Sequence, residues 1–305
     1  MDNSVPNGGY VLALILEACI QYQSTTSHVD LLHVNAHFLR ATLTTTFIVC
    51  IRTIKTGSGF TNITANLLQD GIVKIMAHAI FGINGPHPKD NVNLTLNPPS
   101  KYARRHPLYT HPSQTVAVPL GEIYRFNSRV QWTREEEILA KNRVDGPNRT
   151  NSSTVGGGGL EWGTWFEFKD TNAKITTSSL AFLVDINVNT PSLLPKSERG
   201  GLNTGFSWYP TMVLSIEFKN KLPPSSAEHS TRTVGIYSRG NFVSPPQARH
   251  ESYCEVWTAP SNIGVGKPTS DWRDHQVCLA ISTQMALVMP MEVNERKGKS
   301  NTVKL

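Results

Sequence analysis

The apolar positions change their period along the chain, and the changes mark out elements. From Gly9 to about Gln23 the residues are strong helix formers, and Asn7 stands where a side chain can cap the first turn. Ser24–Asp30 is a connection. Four runs then carry strand character: Leu31–Leu39, Thr44–Thr53, Gly59–Leu68 and Val73–Phe81. The "KTGSG" stretch separates two of them, and "QDG" at Gln69–Gly71 signals a hairpin. One helix followed by an antiparallel meander makes an α+β unit.

The pattern then recurs. Gly82–Pro119 is rich in Pro, His and Asn and has no periodicity. Beyond it, Trp162–Phe168 predicts a strand and "SSLAFLVDI", Ser178–Ile186, predicts a helix. Strands are predicted at Thr211–Phe218, Thr231–Ser238, Ser252–Thr258 and Val277–Met289. Helix then strands, twice, predicts a first unit over 1–90, a crossing over 91–120 and a second unit over 121–305. A flexible Gly-rich loop falls near 145–160. Its Gly156–Gly159 run is no phosphate loop, because no Lys-Ser/Thr follows, and "KTGSGF" fails the same way.

Composition narrows the class. Of 305 residues, 39% are hydrophobic and 17% charged, a globular balance. No apolar stretch reaches the roughly 18 to 20 residues of a membrane helix, and Val11–Ile20 lacks a basic leader and a cleavage site. We expect a soluble, cytoplasmic protein without membrane partners. The net charge of +6 is scattered, with small knots at Lys101–Arg105 and Arg296–Lys299, which argues against nucleic acid as a partner. Cys19, Cys50, Cys254 and Cys278 form no CxxC pair and read as free thiols. His87, His106 and His111 lack a ligand spacing, so no metal and no other cofactor is expected. Sequons at Asn62, Asn93, Asn148 and Asn151 are expected to be unmodified without a secretory signal. No GxSxG elbow occurs, which argues against an α/β-hydrolase mechanism.

Three segments, "PNGGYVLALILEA", "LHVNAHFLRAT" and "GFTNITANLLQDGIVKIMAHAIFG", resemble the first half of the acyl-CoA thioesterase II family. "SSLAFLVDI", "WYPTMVLSIEFKNKLP" and "CLAISTQMALVM" resemble its second half in the same order. The resemblance extends to the thioesterase-like double-hotdog proteins common in fungal metabolism. It covers nearly the whole chain apart from the crossing and the Gly-rich loop. It implies an α+β double hotdog, in which each half wraps a sheet round a helix and the two sheets join. Family members carry a strand before the Gly-Gly helix start. Only Met1–Pro6 precede it here, so the first sheet is expected to be one strand short, or the true start to lie upstream of Met1.

The resemblance also implies chemistry: an Asp, a Ser or Thr and a Gln that orient a water against a thioester carbonyl, with no metal and no cysteine nucleophile. The family Gln falls on Gln284. The family Asp aligns with Val213, which cannot activate water; Thr211 and Ser215 share that face if the strand alternates regularly. The family Ser/Thr falls near Ser238, Ser244 or Ser252. Asp185 on the second helix is the first replacement for the missing base, with Glu17 on the first helix second. Gly8 and Gly9 open a helix N-terminus that could receive a carbonyl oxygen. His33, Asn35 and His37 share one strand face and are expected to bind substrate, while Arg40 makes a surface pair. A pocket between the halves, with Gln284, Asp185, Thr211 and the His33/Asn35/His37 face around it, is the expected site. The expected substrate is an acyl or polyketide thioester on CoA or an acyl carrier protein, in specialised metabolism, and a homodimer is compatible. Loss of the Asp at Val213 would favour a cyclase, isomerase or dehydratase instead. A degenerate binding protein is the third reading.

Overall fold

The computed structural model describes residues 5–85, 96, 100–119, 126–146, 158–199 and 207–299. The sequons at Asn93, Asn148 and Asn151, His87, and most of the Gly-rich loop lie outside the described residues. The first unit comprises α1 (Gly8–Gln23), β1 (Asp30–Phe38), β2 (Ile48–Thr56), β3 (Thr61–Gln69) and β4 (Ile72–Gly82). Asn7 caps α1 as expected, its Oδ1 accepting from the Tyr10 N–H at 2.9 Å. The Gln69–Gly71 hairpin turns through Asp70 (φ 51°) and Gly71 (φ 72°), the left-handed pair that a two-residue loop demands.

The second unit is more elaborate. It runs through β5 (Val130–Trp132), α2 (Glu136–Ala140), β6 (Glu161–Phe168), α3 (Leu180–Leu183), α4 (Thr190–Leu193) and β7 (Ser207–Trp208). It continues with β8 (Thr211–Phe218), β9 (Thr233–Arg239), β10 (Val243–Ser244), β11 (Arg249–Thr258), β12 (Cys278–Ala286), β13 (Met289–Pro290) and α5 (Met291–Lys299). The helix expected over Ser178–Ile186 is a single α-turn, α3, flanked by isolated turns that end with Asp185 N–H on Phe182 O. The Asn187 amide donates to Val184 O at 2.8 Å and stops the helix there.

All strands except β7 and β13 form one 11-stranded sheet in the order β2-β3-β4-β1-β8-β12-β11-β9-β6-β5, with β10 on β11. The halves join through antiparallel β1 and β8, where Val34 pairs with Ile216 and Ala36 with Leu214. Even-numbered residues of β1 and, from Leu214 onward, of β8 turn inward, so Val34, Ala36, Leu214 and Ile216 are fully buried against the helices, while a register shift before Val213 brings Thr211 to the inward side as well. Leu12, Ile15 and Leu16 of α1 fill the concavity of the first half, and Leu180 and Leu183 of α3 that of the second. This is a double hotdog.

The outer face of the second half is covered as well. His106 stacks on Trp165 at 4.9 Å and packs against Trp257 and Trp272, within a second cluster that includes Leu108 and Ile138. Buried Glu255 anchors this layer, taking Arg104 at 2.9 Å and the Trp257 indole N–H at 2.7 Å. His106 and His111, beside prolines in the crossing, therefore serve packing. Burial and nearby Arg273 push His106 down to about 3, keeping it neutral.

Candidate active site

A cavity of about 740 Å³ opens where the N-terminus of α1, the end of α3 and the edges of β8 and β12 converge. Residues of β7, β13 and α5 wall its other side. Gln284, Asp185, Thr211 and Gly8 line it, all expected from the sequence. Ser215, His33, Asn35 and His37 do not, and this corrects the expectation. They stand on the odd-numbered, outward face of β1 and β8, on the opposite side of the sheet. There His33 Nε2 meets Ser215 Oγ across the seam at 3.0 Å. The reason is parity: Val34 and Ala36 must face α1, so their polar neighbours face away. Val213 lies on that same outward face, paired with His37.

Asp185 is the centre of the site. Its Oδ1 accepts from Gln284 Nε2 at 2.6 Å and from Thr211 Oγ1 at 3.1 Å, and its Oδ2 accepts from the Gly9 N–H at 2.7 Å. Gln284 Nε2 also reaches Thr211 Oγ1 at 2.5 Å. Gln284 thus spends both amide hydrogens, and its Oε1 is the acceptor left for a ligand or water. The charged carboxylate gains from these donors and from the positive end of α1. Burial outweighs them and pushes Asp185 up to about 6. That value leaves a group that is ionised at neutral pH and can still take a proton.

The two glycines prove unequal. A Cβ on Gly9 would collide with Ala181 O and Asp185 Cβ, so its bare backbone lets α1 and α3 touch. Its N–H is also committed to Asp185, which corrects its expected role as a donor to substrate. A Cβ on Gly8 would meet only the Phe38 ring at 3.0 Å and Asp185 Oδ2 at 3.5 Å.

The other candidates fall elsewhere. Glu17 accepts from Ser178 Oγ at 2.6 Å, tying α1 to the turn before α3, and does not line the cavity. Arg40 lines the rim and donates to Val73 O at 3.0 Å, a backbone contact rather than an ion pair. Ser252 faces inward beside Gln284 in register and donates to Asn187 Oδ1 at 3.0 Å. Ser238 is buried, and Ser244 sits on β10. Thr211, not one of these serines, is the hydroxyl at the carboxylate. Sequence reasoning missed Asn187, Asn189, Trp208 and Tyr209, all on the cavity wall. The alternation of Asp185, Asn187 and Asn189 in "VDINVNT" was the available signal, a polar strand-like face following an apolar turn.

Comparison with known proteins places this fold. Residues 1–82 match the family model described as acyl-CoA thioesterase N-terminal domain. No curated protein matches the chain. Among solved structures, the chain is similar to a protein assigned as a thioesterase II from Thermobifida fusca YX. That match is 18% identical over 93% of this chain and 87% of that one, with TM-score 0.63. It is similar to a hot dog fold protein of unknown function from Alicyclobacillus acidocaldarius (14% identical, 93% and 88% covered, TM-score 0.62). It is also similar to an acyl-CoA thioesterase II from Mycobacterium marinum (12% identical, 93% and 90% covered, TM-score 0.59). The chain has the double-hotdog fold of these structures, and its first 82 residues match the model of the acyl-CoA thioesterase N-terminal domain.

Proposed function

We propose that the chain hydrolyses an acyl thioester in this cavity, with Asp185 as general base and Gln284 and Thr211 as its positioning partners. The observation that carries the reading is the Asp185–Gln284–Thr211 cluster at a cavity wall, supported by the family match over residues 1–82. A water accepted between Gln284 Oε1 and the carboxylate gives its proton to Asp185 as its oxygen attacks the thioester carbonyl. The tetrahedral intermediate collapses, the C–S bond breaks, and the thiolate leaves with that proton. The first-turn N–H groups of Gly9 and Tyr10 are held by Asp185 and Asn7. Gly8 is the first-turn donor on the cavity for the developing oxyanion.

The argument for a cyclase, isomerase or dehydratase rested on a missing carboxylate. Asp185, 2.6 Å from Gln284, supplies a carboxylate in place of the one missing at Val213, and this favours the hydrolysis reading. The substrate's carrier, CoA or acyl carrier protein, and a polyketide acyl group in specialised metabolism are the finer parts of this proposal, as are a cytoplasmic location and a homodimer. An acyl-CoA panel assayed by thiol release tests the core of it. Asp185→Asn is expected to lose about 10²–10⁴-fold in kcat, the usual worth of general-base assistance. A folded Asp185→Asn protein that turns over as wild type refutes the mechanism.

A further inference from the structure

The segment leaving α3 sets a polar side chain on the cavity at every second residue: Asp185, Asn187 and Asn189. Asn187 is spent inside the protein, donating to Val184 O and accepting from Ser252 Oγ. Asn189 is different. It stands at the N-cap of α4 yet makes no cap bond with its side chain. One end of its amide lies 3.1 Å from His250 Nε2 instead.

His250 decides which end that is. The ring is 2% exposed, and its other nitrogen, Nδ1, lies 2.8 Å from the Ala248 carbonyl oxygen. A carbonyl only accepts, so Nδ1 carries the hydrogen. A neutral imidazole has one N–H, which makes Nε2 an acceptor. Burial lowers the ring's proton affinity and keeps it neutral. The partner of Nε2 must then be the Asn189 NH₂; the oxygen and nitrogen of an amide are told apart only by such partners. The far end of the amide, its carbonyl oxygen, has no protein partner among the described residues. It belongs to a side chain that lines the cavity.

We infer that Asn189, held by neutral His250, is a specificity-determining acceptor, and that the acyl group taken by this cavity carries a hydroxyl or N–H donor rather than a plain alkyl chain. The acyl part of this statement rests on the thioesterase reading. The cavity's character agrees with it. Phe38, Phe126, Trp208 and Tyr209 share its walls with Thr42 and Asn294, a mixed lining in a volume of about 740 Å³. Such a space suits a bulky, partly polar group better than an alkyl sleeve would.

The test uses non-hydrolysable thioether analogues of octanoyl-CoA and of hydroxyoctanoyl-CoAs bearing the hydroxyl on the third, fifth or seventh carbon. Binding is read by calorimetry, and turnover of the matching thioesters is read in parallel. Wild type is expected to prefer at least one hydroxylated analogue by about tenfold, the worth of one neutral hydrogen bond to an otherwise unpaired acceptor. Asn189→Leu should abolish that preference, and the smaller Asn189→Ser should weaken it. His250→Phe, which frees the amide to rotate, should reduce the ratio between the two ligands. Equal binding of hydroxylated and plain analogues by wild type overturns the inference, as does a preference that survives Asn189→Leu. Preferential binding without any turnover sinks the hydrolysis reading and leaves this one standing. Brisk turnover with no preference does the reverse.

Discussion

Asp185 holds opposing influences in one carboxyl group, and the balance is measurable. Its folded-state pKa of about 6 lies above the 3.8 of an unperturbed aspartate. Between those values the native protein holds a proton that the unfolded chain has released. Stability should therefore fall as pH rises from about 4 to about 6 and stay lower above, by on the order of 3 kcal/mol for this group. Urea midpoints of wild type and Asp185→Asn compared across that window should converge at low pH and separate in the variant's favour at neutral pH. A difference that stays constant with pH would show that the carboxyl is not so perturbed. The same group should govern the acid limb of turnover, with kcat/KM rising through about pH 6 as the base ionises. Gln284 was legible in the sequence because the family resemblance sets its Gln at that position. The proposed base, Asp185, was legible only as a replacement for the residue missing at Val213. Strand-on-strand alignment led to Val213, whereas the carboxylate comes from the end of a truncated helix that "SSLAFLVD" does not distinguish from a full one.

Among elements, the contact between α1 and α3 decides whether the site exists. Both glycines of "NGGY" invite the same reading in sequence, and only packing separates them. Gly9→Ala would drive a methyl into Ala181 O and the Asp185 side chain, backbone and base together. Overpacking of this kind costs about 1–3 kcal/mol, and the shift should also weaken the Gly9 N–H bond to Asp185. Gly8→Ala would press only on the Phe38 ring, which can give way. Denaturation midpoints should show Gly9→Ala well below wild type and Gly8→Ala close to it. Equal losses at both positions would mean that the interhelical contact is not what Gly9 provides. The nine long strands were predicted with errors of up to four residues at their ends, because alternation and turn residues are local signals, whereas the two- and three-residue strands β5, β7, β10 and β13 were not predicted as elements. The shortened α3 was not, because what ends it is Asn187 reaching back to Val184 O.

For the whole molecule, the sheet's two faces have separate duties, and a residue's parity assigns it to one of them wherever the strand alternates without a register shift. His33, Asn35, His37 and Ser215 were chosen for their chemistry, yet the inward burial of Val34 and Ala36 excludes them from the cavity. Ser215→Ala removes the partner of His33 Nε2 and should cost about 1 kcal/mol, while His37→Ala, on an exposed side chain, should cost little. Neither should alter kcat/KM for any acyl-CoA; a tenfold change from either would return that face to the catalytic account. The double-hotdog order itself was legible, since a helix followed by strands occurs twice. The α2 and Trp165 layer was not, because it is assembled from the crossing and a distant loop.

The seam between β1 and β8 has a further consequence. About it the halves are approximate counterparts, and β4 lies against β1 as β12 lies against β8. Yet β4 turns Ile75, Ala77, Ala79 and Phe81 inward, with no amide where β12 carries Gln284. The first half keeps its scaffold and contributes the Gly9 N–H, so on the proposed mechanism the described residues of an architecture with room for two reaction centres furnish one. Titration with a tight thioether analogue should saturate at one equivalent per chain, and a second equivalent would show that the apolar half has kept a binding site of its own.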